Sequence, residues 1–205
     1  MNIAVFASGR GSNFQAILNA IQHNVLPARI CVVVSNNSAA GALDIARSSN
    51  VPAFHLSSRQ FPSEAEFARQ VLRILDDHKT EFIALAGYMK KLPSEIVRRF
   101  RHRIANVHPA LLPAFGGQGM YGMKVHEAVI ASGCKVSGAT VHVVDEEYDC
   151  GPIVLQKTIQ VAHDDTPEIL AAKVLALEHA IYPLALKAFA EGKVKIEGQK
   201  AWIQP

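Results

Sequence analysis

Short apolar blocks alternate with helical stripes through the first half of the chain. Asn2-Ile3-Ala4-Val5-Phe6-Ala7 is a continuous apolar run closed by a Ser-Gly turn, which predicts a buried first strand. Phe14, Ile17, Leu18 and Ile21 then recur at helical spacing, with Ser12 or Asn13 available as the cap. The β-branched block Ile30-Cys31-Val32-Val33-Val34 predicts a second strand. Ala40 to Ser48 reads as a helix and residues 51–55 as a third strand. Ser63-x-x-Glu66 has the form of a capping box, and Phe67, Val71, Ile74 and Leu75 form the stripe behind it. Phe82 to Ala86 predicts a fourth strand, Pro93 to Phe100 a short helix, and Ile104 to His108 a fifth strand. Strand alternating with helix calls for a mostly parallel sheet with helices on both faces, a Rossmann-like α/β fold.

The pattern changes after residue 115. Gly116-Gly117-Gln118-Gly119-Met120-Tyr121-Gly122 holds four glycines in seven residues and reads as a loop. A helix follows to about Ser132, with Gly133 at its C′ position. Val136 to Val144 and Pro152 to Ile159 predict two longer strands around the acidic turn 145–149. Thr166-Pro167 opens a long helix that is expected to bend or break near Pro183. Val194 to Ile203 predicts a terminal hairpin, giving the sheet an antiparallel C-terminal edge. No repeat or linker interrupts the chain, so residues 1–205 are read as one domain, the second half extending the same sheet.

Composition narrows this picture only a little. Hydrophobic residues make up 49% and charged residues 19%, the ordinary balance of a globular chain. A net charge of +3 does not argue for nucleic acid. The basic run Arg98-Arg99-Phe100-Arg101-His102-Arg103 reads as a helix end complementing its dipole, or as an anion-attracting rim near an active site. Cys31, Cys134 and Cys150 are widely spaced and odd in number, which fits a reducing, cytoplasmic setting. No signal-peptide pattern and no apolar run of membrane-spanning length is read from the sequence, so no membrane partner is expected.

The chemistry lies in three segments: Asn106-Val107-His108-Pro109, Thr140-Val141-His142, and Asp149-Cys150-Gly151-Pro152. Asn106 and His108 are two apart on a strand and share a face. An amide and an imidazole on one face can bind a developing oxyanion while a nearby carboxylate moves protons. That set suits acyl transfer without a covalent intermediate. Taken singly, His108 and His142 could be packed strand residues, Asn106 a cap and Asp149 a turn former. Ser8-Gly9-Arg10-Gly11-Ser12-Asn13 stands between strand and helix, where a phosphate can meet a helix N-terminus. Its spacing is not that of the dinucleotide fingerprint. His102, His108, His126 and His142 lack the spacing of a metal site, and no metal is expected.

These motifs resemble the folate-dependent phosphoribosylglycinamide formyltransferase family. The likeness runs from Ala7-Ser8-Gly9-Arg10-Gly11-Ser12-Asn13 to His179-Ala180-Ile181-Tyr182-Pro183. It implies the formyltransferase fold, with a phosphate-binding part over about residues 1–100 and a folate-binding and catalytic part beyond. It implies formyl transfer from 10-formyltetrahydrofolate to the amine of glycinamide ribonucleotide, in purine synthesis. Asn106, His108 and Asp149 would be catalytic and His142 supporting. Gly11, Ser12 and Asn13 would hold the ribonucleotide phosphate, and Glu178 the ribose hydroxyls. Met89, Lys90, Lys91 and Leu92, with Asp145, Glu146, Glu147 and Tyr148, would flank the pterin. The resemblance further implies small-molecule substrates, no nucleic-acid partner, and a monomer or weak homodimer. The chain departs from some relatives at Leu175, where they carry a lysine, and in the 116–122 loop. Formyltetrahydrofolate deformylases share the trio and are the closest rival; a non-catalytic nucleotide-binding module would not need it.

Overall fold

The first apolar block becomes β1 (Asn2–Phe6), and Ile3 to Phe6 expose no surface at all. The structure, a computed structural model, describes residues 1–205 and forms two compact units, Met1–Asn106 and Val107–Pro205. In the first unit β1 is followed by α1 (Ser12–Gln22), β2 (Arg29–Ser35), α2 (Gly41–Ser48) and β3 (Ala53–His55). Then come α3 (Glu64–Asp77), β4 (Phe82–Leu85), α4 (Ser94–Arg99) and β5 (Ile104–His108), whose last residues begin the second unit. The strands lie in the order β3-β2-β1-β4-β5, and each neighbouring pair is parallel. The order reverses direction between β1 and β4. Their carboxyl ends therefore form a topological switch point, where open α/β sheets bind ligands.

Local chemistry sets the helix starts. The expected side-chain cap of α1 does not form; Gly11 is the N-cap, at φ 85°. A side chain there would be strained, and its Cβ would lie 2.8 Å from the Ala42 Cα. Gly11→Ala is expected to cost roughly 1–3 kcal/mol of stability, read from the urea midpoint at unchanged m. Ser63 does cap α3, accepting from the Glu66 N–H at 3.2 Å. A reciprocal capping box forms instead at the short 3-10 turn Ser58–Gln60, between Ser57 and Gln60. The basic run ends α4 as expected. Arg103 lies 5.0 Å over the Phe100 ring and donates to the Arg99 carbonyl. It directly precedes β5.

The second unit holds α5 (Met123–Ala131), β6 (Val136–Val143), β7 (Ile153–Gln160), α6 (Pro167–Ala190), β8 (Val194–Glu197) and β9 (Lys200–Ile203). Gly133 follows α5 at φ 71°, the left-handed C′ conformation expected of it. β6 and β7 are antiparallel, β9 joins β7 in parallel, and β8–β9 is the antiparallel hairpin. α6 packs on β6, β7 and α5. Of the expected bend or break at Pro183, the break does not occur: the helix is continuous through that residue. Ile181, Tyr182 and Pro183 are all buried, so packing offsets the hydrogen bond that proline removes. The 24 residues of α6 are also long and apolar enough to span a membrane by length and composition, contrary to the sequence reading. Burial against β6 and β7 accounts for that apolar character.

Candidate active site

Alternation along β5 sends Asn106 and His108 to one face and Val107 to the other. His108 is 3% exposed. Its Nε2 lies 2.8 Å from the Phe115 carbonyl oxygen. A carbonyl only accepts, so Nε2 carries a hydrogen and Nδ1 is left for Asp149. The segment between them is held by Thr140 on β6. The Thr140 hydroxyl donates to the Ala110 carbonyl at 2.6 Å and accepts from the Leu112 N–H at 3.1 Å. Gln156 on β7 donates to both the Leu112 carbonyl and Thr140, each at 2.9 Å.

Asp149 ends the acidic turn at φ 55°, an uncommon conformation for a non-glycine residue. Its Oδ2 accepts from the Gly117 N–H at 2.9 Å and lies 3.6 Å from the His108 Nδ1. Its Oδ1 lies 3.5 Å from the His142 Nε2. The His142 Nδ1 is 3.0 Å from the Val143 carbonyl oxygen, so that ring too presents its second nitrogen to the carboxylate. A bare imidazole nitrogen facing a carboxylate oxygen is repulsive unless a proton lies between them. The cluster is thus built to share protons.

Burial pushes the Asp149 carboxyl up, but the His142 hydrogen bond, the Gly117 N–H and the charges of His108 and His142 outweigh it and hold its pKa below the ordinary 3.8. Burial lowers the His108 pKa from 6.5, opposed by Asp149 and the Phe115 carbonyl. An ionised carboxylate therefore lies beside an imidazole whose charged form burial disfavours and the carboxylate favours. Asp145 is different. Its Oδ1 accepts from the Glu147 N–H at 3.0 Å, closing a turn. Asp145, Glu146 and Glu147 are not drawn into the His108–His142–Asp149 cluster.

Tyr148, 40% exposed, lines a cavity of about 750 Å³ with Leu112, Gly117, Asp149 and Trp202. Glu178 on α6 is buried at 6% exposure, unlike a solvated helix glutamate. No group of three His, Cys, Asp or Glu side chains is placed to hold a metal ion.

In the first unit, α1 presents its N-terminus beyond the carboxyl end of β1. Gly11 and Asn13 are buried and Ser12 half-buried. Ser8, quoted in the loop but given no role by sequence, is the hub here. Its hydroxyl donates to the Asn36 Oδ1 and accepts from the Met89 N–H at 2.8 Å, and its own N–H donates to the Gly87 carbonyl at 3.0 Å. Met89 is 51% exposed and Leu92 buried. Lys90, Lys91 and Leu92 line a polar cavity of about 370 Å³ with Asn36, Arg59 and Tyr88. Burial pushes the Tyr88 hydroxyl up to about 12, so it stays a neutral donor there.

Ser8 and Asn36, and the backbone of Phe115 to Gly117, are the site features that sequence reasoning missed. The Ser-Gly turn and the glycine cluster were the only signals, and neither specifies which neighbour it meets.

The formyl transferase family profile matches residues 1–186. Over 194 residues the chain is 41% identical to the chloroplastic phosphoribosylglycinamide formyltransferase of Arabidopsis thaliana, covering 94% of this chain and 66% of that one. It thus spans just under two thirds of that plant relative. The glycinamide ribonucleotide transformylase 1 of Symbiobacterium toebii superposes with a TM-score of 0.94 at 38% identity, covering 100% of this chain and 94% of that one. A formyltetrahydrofolate deformylase from Pseudomonas syringae pv. tomato superposes at 0.89 with 25% identity, covering 100% of this chain and 66% of that one.

Proposed function

The chain belongs to the formyl transferase family and, within it, to the phosphoribosylglycinamide formyltransferases, and from that premise we propose how it acts. It transfers the formyl group of 10-formyltetrahydrofolate to the amine of glycinamide ribonucleotide in purine synthesis. The observation that carries the reading is the Asp149 carboxylate bracketed by the His108 and His142 rings, with Asn106 on the His108 face of β5.

The amine attacks the formyl carbon directly. The formyl oxygen gains negative charge, which the Asn106 amide stabilises by donating to it and the protonated His108 ring, held between the Phe115 carbonyl and Asp149, stabilises by its positive charge. That charge opposes the burial that disfavours the imidazolium, so His108 binds the transition state more strongly than the ground state. Asp149 supports the imidazolium. Through water, it also passes a proton from the attacking nitrogen to the departing folate nitrogen. His142 fixes the free carboxylate oxygen. The ribonucleotide phosphate takes the N-terminus of α1 with Gly11, Ser12 and Asn13, and Glu178 accepts from the ribose hydroxyls. The pterin is contacted by Met89, Lys90, Lys91 and Leu92 and by Asp145, Glu146, Glu147 and Tyr148. The enzyme works as a cytoplasmic monomer or weak homodimer on small-molecule substrates, with no metal.

The test is the folate absorbance change with and without the amine ribonucleotide. Turnover that requires the ribonucleotide supports the transferase, and equal turnover with water alone identifies a deformylase. Asn13→Ala is expected to raise the KM for the ribonucleotide about tenfold, with the folate KM within twofold, as for one lost charge-assisted hydrogen bond. Equal changes in both constants would remove Asn13 from the phosphate site.

A further inference from the structure

The glycine-rich segment is the part of the second unit that the proposed chemistry leaves unexplained. Its leading edge meets both ionisable members of the trio through main-chain atoms alone. The Phe115 carbonyl oxygen lies 2.8 Å from the His108 Nε2. Two residues on, the Gly117 N–H donates to the Asp149 Oδ2 at 2.9 Å. The same Oδ2 is the atom that faces the His108 Nδ1 at 3.6 Å. One dipeptide span therefore sets the rotation of the imidazole and the position of the carboxylate oxygen.

The middle residue makes this possible. A Cβ on Gly116 would lie 2.4 Å from the Leu112 Cδ2 and 3.2 Å from the Asp149 Cβ. The first distance is below any real contact, so either the end of the Leu112 side chain or the loop must shift, and the Asp149 Cβ at 3.2 Å resists a shift of the loop toward the carboxylate. Gly116 is not in the left-handed region; what it needs is space, not conformational freedom. Phe115 and Asp149, by contrast, are both non-glycine residues at φ 55°. Uncommon backbone on both sides of one contact persists only where the surroundings hold it. The Thr140 and Gln156 hydrogen bonds to Ala110 and Leu112 hold the intervening segment down.

We propose that the backbone of Phe115–Gly117 is a clamp that aligns His108 with Asp149, and that Gly116 is the positioning residue that lets the clamp close. The inference rests on the reading that His108 and Asp149 carry the transfer. Lifting the clamp frees the ring to rotate and removes one donor from Asp149. A displacement of an ångström in such a pair can cost up to about a hundredfold in rate. Neither change touches the phosphate loop, so binding of the ribonucleotide phosphate is spared. The Gly117 N–H lowers the Asp149 pKa, so its loss raises that pKa. The acid limb of turnover, where activity is lost as Asp149 takes a proton, then moves to higher pH.

The experiment compares Gly116→Ala with Gly119→Ala in the full chain. Gly119 lies in the same loop at φ 89°, so alanine there strains the loop backbone, but its Cβ would meet nothing within 4 Å; it controls for strain without the contact. Gly116→Ala is expected to lose about tenfold or more in kcat, with the ribonucleotide KM within twofold and the acid limb moved to higher pH. Gly119→Ala should keep the wild-type limb. Adding Leu112→Val, which removes the obstructing Cδ2, should recover part of the lost turnover and return the limb toward wild type. A folded Gly116→Ala with wild-type kcat and acid limb overturns the clamp. So does a kcat loss with an unmoved limb and no recovery in the double variant. If Gly116→Ala does not fold, the double variant is compared with Leu112→Val alone: a limb at higher pH supports the clamp and coincident limbs overturn it. Asp149→Asn, measured beside them, separates the two ideas. Full activity there defeats the catalytic assignment, whereas its loss beside an unaffected Gly116→Ala defeats only the clamp.

Discussion

Asn106→Ala and His108→Ala are each expected to depress turnover by two to three powers of ten. In the proposed mechanism the formyl oxygen carries charge only once the amine attacks, so both groups would act in the transition state rather than on bound substrate. Losing one preorganised donor costs roughly 3–4 kcal/mol in such a site. Binding of both substrates should change little. The double variant should lose less than the product of the single losses, because both groups serve one oxygen and proximity supplies what remains. His108→Ala also vacates the Phe115 carbonyl, so it should be the more damaging of the two. Near-normal turnover in either folded variant, or a loss explained wholly by weaker binding, would remove that residue from the oxyanion site.

Asp149→Asn should reduce turnover at least about a hundredfold, the lower end of acid–base effects. It keeps the shape of the side chain but removes the charge that faces His108 and His142. Asp145→Asn should leave turnover nearly intact, since Asp145 closes a turn on Glu147 and can cost at most about 1 kcal/mol of local stability. The wild-type enzyme should keep its activity on falling pH until Asp149 protonates. That pKa is depressed, so the acid limb belongs below the ordinary carboxylate value of 3.8. Its stabilising contribution is present above the unfolded pKa and is lost as pH falls through the folded one. Kinetics showing Asp145→Asn to be the more damaging substitution would relocate the catalytic carboxylate.

β1, β2, β4 and β5 were legible because each is a short, largely apolar block bounded by polar turns, as burial on both faces demands. Ile104–His108 was read residue for residue. The meeting of His108, His142 and Asp149 was expected from the family resemblance rather than from any one motif, since each residue taken singly could be structural. Helix starts were less legible. Gly11 caps α1 through its conformation, and no side-chain pattern announces that. A break at Pro183 did not follow because propensity is local, while the packing that keeps α6 continuous is tertiary. The distinction between Asp145 and Asp149 was not readable from an acidic run; it depends on two histidines and one backbone amide, all distant in sequence. The clamp at Phe115–Gly117 was hidden for the same reason.

The central claim is direct transfer from donor to acceptor, with no formyl group on the protein and none lost to water. It is tested by following the carbon of a formyl-labelled 10-formyltetrahydrofolate. With glycinamide ribonucleotide present, the label is expected on the ribonucleotide amide in proportion to the folate released. Without the ribonucleotide, the protein should remain unlabelled and the folate intact. Label bound covalently to the protein, or recovered as formate at the same rate with or without the ribonucleotide, would contradict the account.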